Sequence, residues 1–441
     1  MPAPPTAPRA ACAPAATHDL VQRLATPLPR YTSYPTANHF STAVDASTYA
    51  AWLGELTAGS ALSLYLHIPY CRELCWYCGC STKAVRRYEP VASYLELLRL
   101  ETIEVARRLP RDHRVTHIHW GGGSPDILEP ADIIRLGAEI SGSYEIAAGA
   151  EIAVEIDPRL LDAPRADAFA AIGLNRVSIG VQDFDESVQK AIGRLQGYET
   201  TRRAVELFRD RGVTSINVDL VYGLPHQTED SVARTIDQVL TLAPDRIAIF
   251  GYAHLPSRLK HQRLIDEATL PDATARLGQS SRLAETLLEA GYVQLGLDHF
   301  ARTADKLATT ALNRNFQGYT TDQADALIGF GASAISRLPQ GYAQNAVAAD
   351  EYGRRIGESG FATARGFKLG AEDRLRAFVI ERLMCDFAFS SRELSRRFGN
   401  SAAPLIREAE TIIENDSDGL VQRTSDGFRM TPRGRPCVRN V

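Results

Sequence analysis

Six short runs rich in β-branched and apolar residues recur along the chain, and their regular recurrence limits the fold more than any other feature. The runs occupy residues 62–68, 116–120, 151–156, 176–181, 216–221 and 246–251. The stretches between them carry helical patterns, as at residues 94–109, where apolar positions repeat every three or four residues. Strands that alternate with helices predict a parallel sheet of right-handed βαβ units. Six units predict an α/β fold of the incomplete (β/α)6 TIM type rather than a closed barrel of eight strands.

The strand and helix pattern changes toward the C-terminus. A seventh strand-like run at residues 292–297 is placed to extend the sheet. Beyond residue 365 come helical runs, beginning at residues 374–385, and then a hairpin-like run at residues 419–432. Helices followed by a small hairpin predict a mostly helical, winged-helix-like module. The predicted divisions are a leader at 1–17, an N-terminal arm at 18–50, a barrel domain at 51–365 and a C-terminal domain at 366–441.

Composition excludes several classes of protein. The chain has 441 residues, 44% of them hydrophobic, and a net charge of -4. It is long enough to bury a large core, and its charge balance gives no overall attraction to nucleic acid or to an anionic membrane. No run of about 18 apolar residues is present to span a membrane. Residues 1–17 are rich in proline and lack the continuous apolar segment of a secretory signal, so we interpret them as a disordered leader.

Four of the seven cysteines lie within ten residues, in the segment C-R-E-L-C-W-Y-C-G-C at 71–80. An odd number of cysteines, mostly in one cluster, is unlike a secreted disulfide framework and indicates a reducing cytoplasm and a metal or redox role. Cys71, Cys75 and Cys78 directly follow the first predicted strand. The proline before them and the glycine behind them indicate a loop wrapped around a metal group rather than a helix.

Two metal groups are compatible with this cysteine loop. Thiolates are the ligands of iron–sulfur clusters. Structural zinc is the alternative, with His67 or Cys80 available as a fourth ligand, although zinc sites usually show two separated pairs of ligands. No second pair is obvious in the sequence, and we therefore favour the iron–sulfur cluster.

Glycine, proline and polar residues collect at the C-terminal ends of the predicted strands. The segments are W-G-G-G-S-P (120–125), V-E-I-D-P-R (154–159), G-V-Q-D-F (180–184), D-L-V-Y-G-L-P (219–225) and G-Y-A-H-L-P (251–256). Parallel barrels place their active sites at this rim. Glu155 and Asp219 lie within otherwise apolar strands, where an unpaired carboxylate is costly to bury, so each should have a partner or a ligand. The glycine triplet 121–123 lets the backbone approach a ligand closely.

Together these motifs resemble the radical S-adenosylmethionine (SAM) superfamily and, within it, the oxygen-independent coproporphyrinogen III oxidases (dehydrogenases). The superfamily resemblance rests on CxxxCxxC after the first strand, the glycine-rich segment that follows and the six-unit barrel. The family resemblance rests on the ordered segments P-R-Y-T-S-Y-P-T (29–36), C-R-E-L-C-W-Y-C-G-C, H-W-G-G-G-S-P, E-I-D-P-R, Y-G-L-P-H-Q-T, Y-A-H-L-P and N-F-Q-G-Y-T-T. It runs from about residue 28 to the C-terminus.

The resemblance implies a reaction. Three thiolates would leave one iron of a [4Fe-4S] cluster for the amino and carboxylate groups of SAM. Reductive cleavage of SAM would give a 5'-deoxyadenosyl radical that takes hydrogen from the β-carbon of a propionate, and loss of carbon dioxide and one electron would leave a vinyl group. Two rounds would convert coproporphyrinogen III to protoporphyrinogen IX in heme biosynthesis. We expect a monomer with a flavodoxin- or ferredoxin-type electron donor and an electron acceptor. The cysteine pattern and the composition add a cytoplasmic location without nucleic acid or membrane.

The resemblance also assigns site residues. Cys71, Cys75 and Cys78 are the cluster ligands. Positions that contact the cluster-bound SAM are Tyr65, Gly122, Glu155 and Ile335. Positions matching or near a second SAM are Tyr77, Gly123, Ser124, Gln182, Arg194, Asp219, Ala253 and Gln317. As a hypothesis, Glu155 or Asp219 accepts ribose hydroxyls and Arg194 pairs with a methionine carboxylate. No catalytic residue is assigned.

Four propionates on the substrate require cations in its pocket. The candidates by position are Lys83, Arg30 and Arg314, each of which is also explained as a solvated surface charge. Cys80 is expected not to bind iron, and it is either a small thiol or a neighbour of the substrate or cluster. Cys385 and Cys437 are interpreted as packing residues of the C-terminal module.

Two other functions remain open from the sequence. A heme-carrying relative shares the barrel and cysteine motif, but that branch has D-F in place of Gly79 and Cys80 and lacks the arm at 29–36, so the enzyme is favoured. Alternatively, the winged-helix-like module could read nucleic acid, although winged helices also serve as lids and the near-neutral charge supports DNA binding weakly.

Overall fold

The structure is a computed structural model, and it describes residues 20, 23–24 and 34–441. The strands are β1 Ala61–Ile68, β2 Tyr70–Cys71, β3 Lys83–Ala84, β4 Arg114–Gly122, β5 Ile146–Ile156, β6 Arg176–Gln182, β7 Ser215–Tyr222, β8 Arg246–Gly251, β9 Tyr292–Leu295, β10 His299–Arg302, β11 Asn313–Asn315, β12 Gly318–Thr320, β13 Ala326–Phe330, β14 Ile335–Leu338, β15 Gly341–Asn345, β16 Thr363–Lys368, β17 Ala388–Ser390, β18 Val421–Thr424 and β19 Gly427–Met430. The α-helices are α1 Ala46–Gly54, α2 Glu89–Arg108, α3 Pro130–Ser143, α4 Ala163–Ala171, α5 Glu186–Ala191, α6 Tyr198–Arg209, α7 Glu229–Thr241, α8 Ala273–Glu289, α9 Lys306–Thr309, α10 Ala349–Ser359, α11 Ala371–Asp386, α12 Ser391–Phe398 and α13 Ala403–Glu414. The predicted leader, Arg30 and most of the segment 29–36 lie outside the described residues.

A single open sheet of twelve strands organises the larger part of the chain. Its order is β16-β15-β14-β13-β1-β4-β5-β6-β7-β8-β10-β9. From β13 through β8, each strand runs parallel to its neighbour. The six predicted strands are β1 and β4 to β8, and their parallel pairing confirms the predicted βαβ organisation. Within the described residues, β9 and β16 form two separate edges of the sheet, which confirms an incomplete barrel.

Other parts of the sheet were not predicted from the sequence. β13 pairs parallel with β1, with Leu64 opposite Ile328, and the antiparallel strands β14 to β16 continue from it. The predicted seventh run became β9. It reaches the sheet only through β10, which is antiparallel to both β8 and β9. The sheet is therefore wider than the six-unit prediction on both sides.

The helices between parallel strands each bury one face against the sheet. Along α6, the buried residues Thr201, Ala204, Val205 and Phe208 repeat at three- and four-residue intervals, as one helical face requires. Burying a side chain such as that of Phe208, which is fully inaccessible, contributes roughly 2 to 3 kcal/mol. No helix within the described residues is long and apolar enough to cross a bilayer.

The C-terminal residues form a smaller unit with a core of its own. Strands β17, β19 and β18 make a three-stranded sheet in that order beside α11, α12 and α13. The core of this unit includes Leu375, Leu394, Phe428 and Met430. Helices followed by the β18–β19 hairpin confirm the winged-helix-like architecture. The large sheet continues through β16 to Lys368, and the predicted domain boundaries stay a prediction.

A buried carboxylate joins three elements next to the central strands. Glu101 on α2 is 1% exposed. It accepts hydrogen bonds from the Gly331 backbone N–H (2.7 Å), from Asn345 Nδ2 (2.6 Å) and from the Tyr352 hydroxyl (2.8 Å). Burial raises the pKa of Glu101 to about 7, although these three hydrogen bonds oppose the rise. This carboxyl group therefore fastens the turn between β13 and β14 to α2 and α10.

The raised pKa of Glu101 makes a prediction for stability. Because the folded-state pKa of about 7 exceeds the ordinary value of 4.5, the unfolded chain releases this proton at lower pH than the folded chain does. The corresponding stability is fully present below the unfolded-state pKa and is lost as pH rises to about 7. Over this range we expect the free energy of unfolding of wild type to fall relative to that of Glu101→Gln, by at most about 1.4 kcal/mol per pH unit. Denaturant unfolding of both proteins between pH 5 and 8 measures the difference, and parallel pH curves would contradict it.

Candidate functional site

The cysteine-rich loop leaves the C-terminal end of β1 at Pro69. Two hydrogen bonds pair β2 with β3, from the Lys83 N–H to the Pro69 carbonyl (2.9 Å) and from the Val85 N–H to the Cys71 carbonyl (2.9 Å). Between these strands the chain has no helix, and the Cys78 N–H closes a turn on the Cys75 carbonyl (3.1 Å). The non-helical loop predicted from its flanking proline and glycine is confirmed.

Side chains from the segment after β8 hold the cysteine loop from outside. His261 Nε2 donates to the Cys78 carbonyl (2.7 Å), and Gln262 Nε2 donates to the carbonyls of Tyr77 (3.0 Å) and Ala253 (3.2 Å). Gln262 is 1% exposed. It therefore links two predicted SAM-site positions. Sequence reasoning missed both His261 and Gln262, since their role depends on a contact between segments far apart in the chain.

The thiols differ in their exposure. Cys75 is buried, Cys71 and Cys78 are half-buried and Cys80 is exposed. Cys78 Sγ accepts a hydrogen bond from the Cys80 backbone N–H (3.4 Å), and Cys71 Sγ lies 3.2 Å from Thr82 Oγ1. Among the described residues, no three His, Cys, Asp or Glu side chains are grouped to hold a metal ion. The thiols are therefore not arranged around a single ion. An iron–sulfur cluster does not require such an arrangement, because each thiolate binds a different iron atom.

Two arginines direct N–H groups at the buried thiol. Arg194 Nη1 lies 3.4 Å and Arg159 Nη2 lies 3.6 Å from Cys75 Sγ. Asp157 pairs with both, at 3.1 Å to Arg194 and 2.6 Å to Arg159. Burial opposes ionisation of Asp157, but the hydrogen bond from Arg159 and the charge of Arg194 lower its pKa. Asp157 and Arg159 belong to the rim segment E-I-D-P-R. Charged residues directly after a predicted strand were the sequence signal that could have identified them.

Arg194 is committed mainly to protein partners. It is 5% exposed, and besides Cys75 and Asp157 it donates to the Gly180 carbonyl (2.7 Å). The hypothesised pairing of Arg194 with a methionine carboxylate would have to form alongside these interactions. Its Nε is buried and has no hydrogen-bond partner among the described residues. Gln182, also predicted for the second SAM, ends β6 in a left-handed conformation with φ of 69°.

A polar row lines the inner face of the sheet at the same rim. Glu155 accepts hydrogen bonds from His119 Nε2 (2.9 Å) and from the Gly122 N–H (3.1 Å). Burial opposes its ionisation, but the His119 hydrogen bond and charge and the Gly122 N–H lower the pKa of Glu155. The Tyr65 ring stacks on His119 with centroids 5.8 Å apart. His119 is therefore the residue that orients Glu155.

His67 couples Tyr65 to the cysteine loop. Burial lowers the pKa of His67, which favours the neutral ring. Its Nε2 lies 2.9 Å from the Ser81 carbonyl and must donate there, so Nδ1 accepts from the Tyr65 hydroxyl at 3.0 Å. The ring thereby connects the end of β1 to the residue that follows Cys80.

Asp219 lies on β7, two strands along the sheet from Glu155 on β5. Its carboxyl group accepts hydrogen bonds from Ser178 Oγ (2.7 Å) and Asn217 Nδ2 (2.8 Å). Burial, assisted by the charge of Glu155, raises the pKa of Asp219. Both intrastrand carboxylates therefore have partners, as expected from the cost of burying them.

The glycine triplet packs directly against the cysteine loop. The Gly123 N–H donates to the Ile68 carbonyl (2.8 Å), and the Ser124 N–H donates to the Tyr70 carbonyl (2.9 Å). A Cβ atom at Gly123 would lie 2.5 Å from the Tyr70 carbonyl oxygen, closer than non-bonded atoms allow. Ser124 is buried and bonds to Asp126. Because the triplet has no side chains, the cysteine loop can approach it closely, in addition to the ligand predicted from the sequence.

Gln317 and Arg314 lie on the β11–β12 hairpin, and Ile335 begins β14 just beyond the rim. The hairpin is held by α11, since the Arg314 N–H donates to Glu381 Oε1 (3.1 Å) and the Tyr319 hydroxyl donates to the Met384 carbonyl (2.6 Å). The Arg314 guanidinium carbon lies 4.3 Å from the centre of the Tyr319 ring. Its Nε and Nη1 are buried without partners in the described part of the chain.

The remaining cysteines of the described chain are not near the site loop. Cys385 is buried in a cluster with Leu307, Leu312 and Tyr319, which confirms a packing role. Cys437 is half-buried in the C-terminal unit. Cys12 lies outside the described residues.

Comparisons with known proteins agree with this geometry. Residues 65–239 match the sequence profile of the Radical SAM superfamily, and residues 369–437 match that of the HemN C-terminal domain. An oxygen-independent coproporphyrinogen III oxidase from Bradyrhizobium diazoefficiens is 50% identical over 418 residues, covering 94% of this chain and 93% of the relative. The protein of that name from Pseudomonas aeruginosa is 39% identical over 431 residues, covering 96% of this chain and 94% of the relative.

A solved structure extends the similarity to three dimensions. Coproporphyrinogen III oxidase (HemN) from Escherichia coli, described as a radical SAM enzyme, superposes with a TM-score of 0.89 at 38% identity, covering 93% of this chain and 95% of that one. The matches to this structure and to the curated relatives each cover nearly the whole chain. This chain therefore belongs to the oxygen-independent coproporphyrinogen III oxidase family of the radical SAM superfamily.

Proposed function

We propose that this protein oxidatively decarboxylates two propionate side chains of coproporphyrinogen III to vinyl groups without oxygen, giving protoporphyrinogen IX in heme biosynthesis. The observation that carries the proposal is the loop of Cys71, Cys75 and Cys78 at the rim where Tyr65 and Glu155 converge. Relatives named as this oxidase support it over a heme carrier. Gly79 and Cys80, which follow the third thiol, also favour the enzyme.

The thiol loop fits a [4Fe-4S] cluster. Cys71, Cys75 and Cys78 would hold three irons, and guanidinium N–H groups at Cys75 Sγ suit a thiolate, since hydrogen bonds to sulfur stabilise its negative charge. When bound, the cluster and SAM together supply the radical that removes hydrogen from the propionate. A second SAM, at the residues around Arg194 and Asp219, remains part of this proposal.

The chain's own residues prepare the SAM site. His119 and the Gly122 N–H keep Glu155 ionised and fixed in orientation, so its carboxylate is ready to accept hydroxyl donors. The side chain of Glu155 is 38% exposed, which leaves room for a ligand. Tyr65, fixed by His67, forms the wall beside it. These groups position the reacting carbon and exclude competing reactions.

Arg314 is the best-supported residue for a substrate carboxylate. Two of its buried N–H groups lack partners within the described residues, and leaving such donors unpaired is costly. A guanidinium is a charged donor that suits a carboxylate. We also propose a cytoplasmic monomer that takes electrons from a flavodoxin- or ferredoxin-type donor and passes the substrate's electrons to a separate acceptor.

Anaerobic reconstitution tests the function. After addition of iron and sulfide, reduction with dithionite, and supply of SAM and coproporphyrinogen III, we expect 5'-deoxyadenosine to form together with vinyl product, both followed by chromatography. Cys78→Ala should abolish the cluster absorption, whereas Cys80→Ala should retain it because Cys80 is not a ligand. Stable heme binding without decarboxylation, or a protein that retains only zinc, would overturn the proposal.

Replacing Arg314 tests the substrate site. Arg314→Gln removes the charge that faces a propionate, so KM for coproporphyrinogen III should rise about 10- to 100-fold, as expected for a lost charged hydrogen bond. Arg314→Lys should restore part of the loss, because it keeps the charge without the paired N–H geometry. The matched control is Arg203→Gln, at an exposed arginine on α6, which should leave KM unchanged. An unaltered KM in Arg314→Gln would remove this residue from the site.

A further inference from the structure

Three exposed cations lie beside the cysteine loop. Lys83, Arg86 and Arg87 are exposed, and their side chains make no hydrogen bond or ion pair with any described residue. Most other arginines near the site are paired, as Arg159 and Arg194 are with Asp157. The whole chain carries a net charge of -4. These three charges within five residues are therefore a local excess that no described residue neutralises.

Lys83 lies on β3 and Arg86 and Arg87 follow this strand, which is bonded to the strand that carries a proposed cluster ligand. β3 pairs parallel with β2, and Ala84 lies opposite Cys71. The Val85 N–H donates to the Cys71 carbonyl at 2.9 Å. Adjacent strands lie about 4.8 Å apart. The exposed surface of β3 is thus one strand away from Cys71, and its backbone connects to that residue through a single hydrogen bond.

A groove lies next to these cations. It is a cavity of about 460 Å³ with Tyr70, Tyr94, Val85 and Leu97 among the residues that line it. Its charged lining residues are Lys83, Arg86, Arg87 and the carboxylate Asp350. The lining therefore has a positive balance over a partly apolar floor, as in protein interfaces with a charged rim.

We propose that this basic face, formed by Lys83, Arg86, Arg87 and the adjoining groove, docks the acidic electron-transfer protein that reduces the cluster. The inference rests on the proposed function, because a chain without a cluster needs no such reductant. One electron leaves the reduced partner and enters the cluster, and no bond is made or broken. Charge complementarity would steer an acidic carrier to this surface, one strand from Cys71, and speed its association.

Charge reversal at two of these positions tests the surface. In Arg86→Glu with Arg87→Glu, the dissociation constant for an acidic flavodoxin, measured by titration calorimetry at low salt, should rise about tenfold or more, since two attractive charges become repulsive. The difference should shrink at high salt. The matched control is Arg111→Glu, an exposed arginine without a partner among the described residues, located between α2 and β4 at the opposite end of the sheet. Its affinity for flavodoxin should stay within about twofold of wild type.

Activity with two reductants separates the possible failures. Turnover driven by flavodoxin should show a raised KM for the carrier in the double variant, whereas turnover driven by dithionite should equal wild type. Unchanged flavodoxin affinity would overturn the docking surface. A raised KM for coproporphyrinogen III, or loss of the dithionite-driven rate, would assign these cations to substrate or to folding and would also overturn it. If wild type itself fails to cleave SAM with dithionite, the proposed function fails, while the binding measurement still decides the docking surface.

Discussion

The site depends on the parallel register of β1 between β4 and β13. Ile68, the last residue of β1, lies opposite Gly122, the last residue of β4. Because the two strands end together, the cysteine loop and the glycine triplet leave the sheet as neighbours. Hydrogen bonds from Gly123 and Ser124 to the loop follow directly from this register. A shift of one residue would turn the core side chains of β1 to the wrong face of the sheet, and the fully buried Leu62, Leu66 and Ile68 oppose such a shift.

Charge at the rim is arranged in pairs around a single buried thiol. Asp157 holds two guanidinium groups, and those groups face Cys75 Sγ. Burying an isolated charge is costly, and each member of this set compensates another. The arginines are therefore held in place by the protein itself, and a thiolate at Cys75 would require little reorganisation of them.

Much of the fold follows from local patterns, but the site's contacts do not. The six parallel strands were predictable because their apolar runs alternate with helical patterns, and the winged-helix-like ending was predictable because helical runs precede a hairpin-like run. The strand of residues Ala326–Phe330 was missed because it pairs with β1, far away in sequence, and no local pattern records that pairing. The cysteine loop could be predicted from Pro69 and Gly79, whereas the roles of His119 and Gln262 could not. Their partners are set by tertiary packing, which no spacing of residues along the chain records.

The hairpin that bears Arg314 and Gln317 is fastened to the C-terminal unit through Glu381 and Met384. A hairpin that carries two predicted site residues therefore relies on a helix outside the large sheet for its position. A chain whose last unit were exchanged for one without these two acceptors would lose the bonds that hold the hairpin. The hairpin and the helix would therefore have to be transplanted together to keep the hairpin in place.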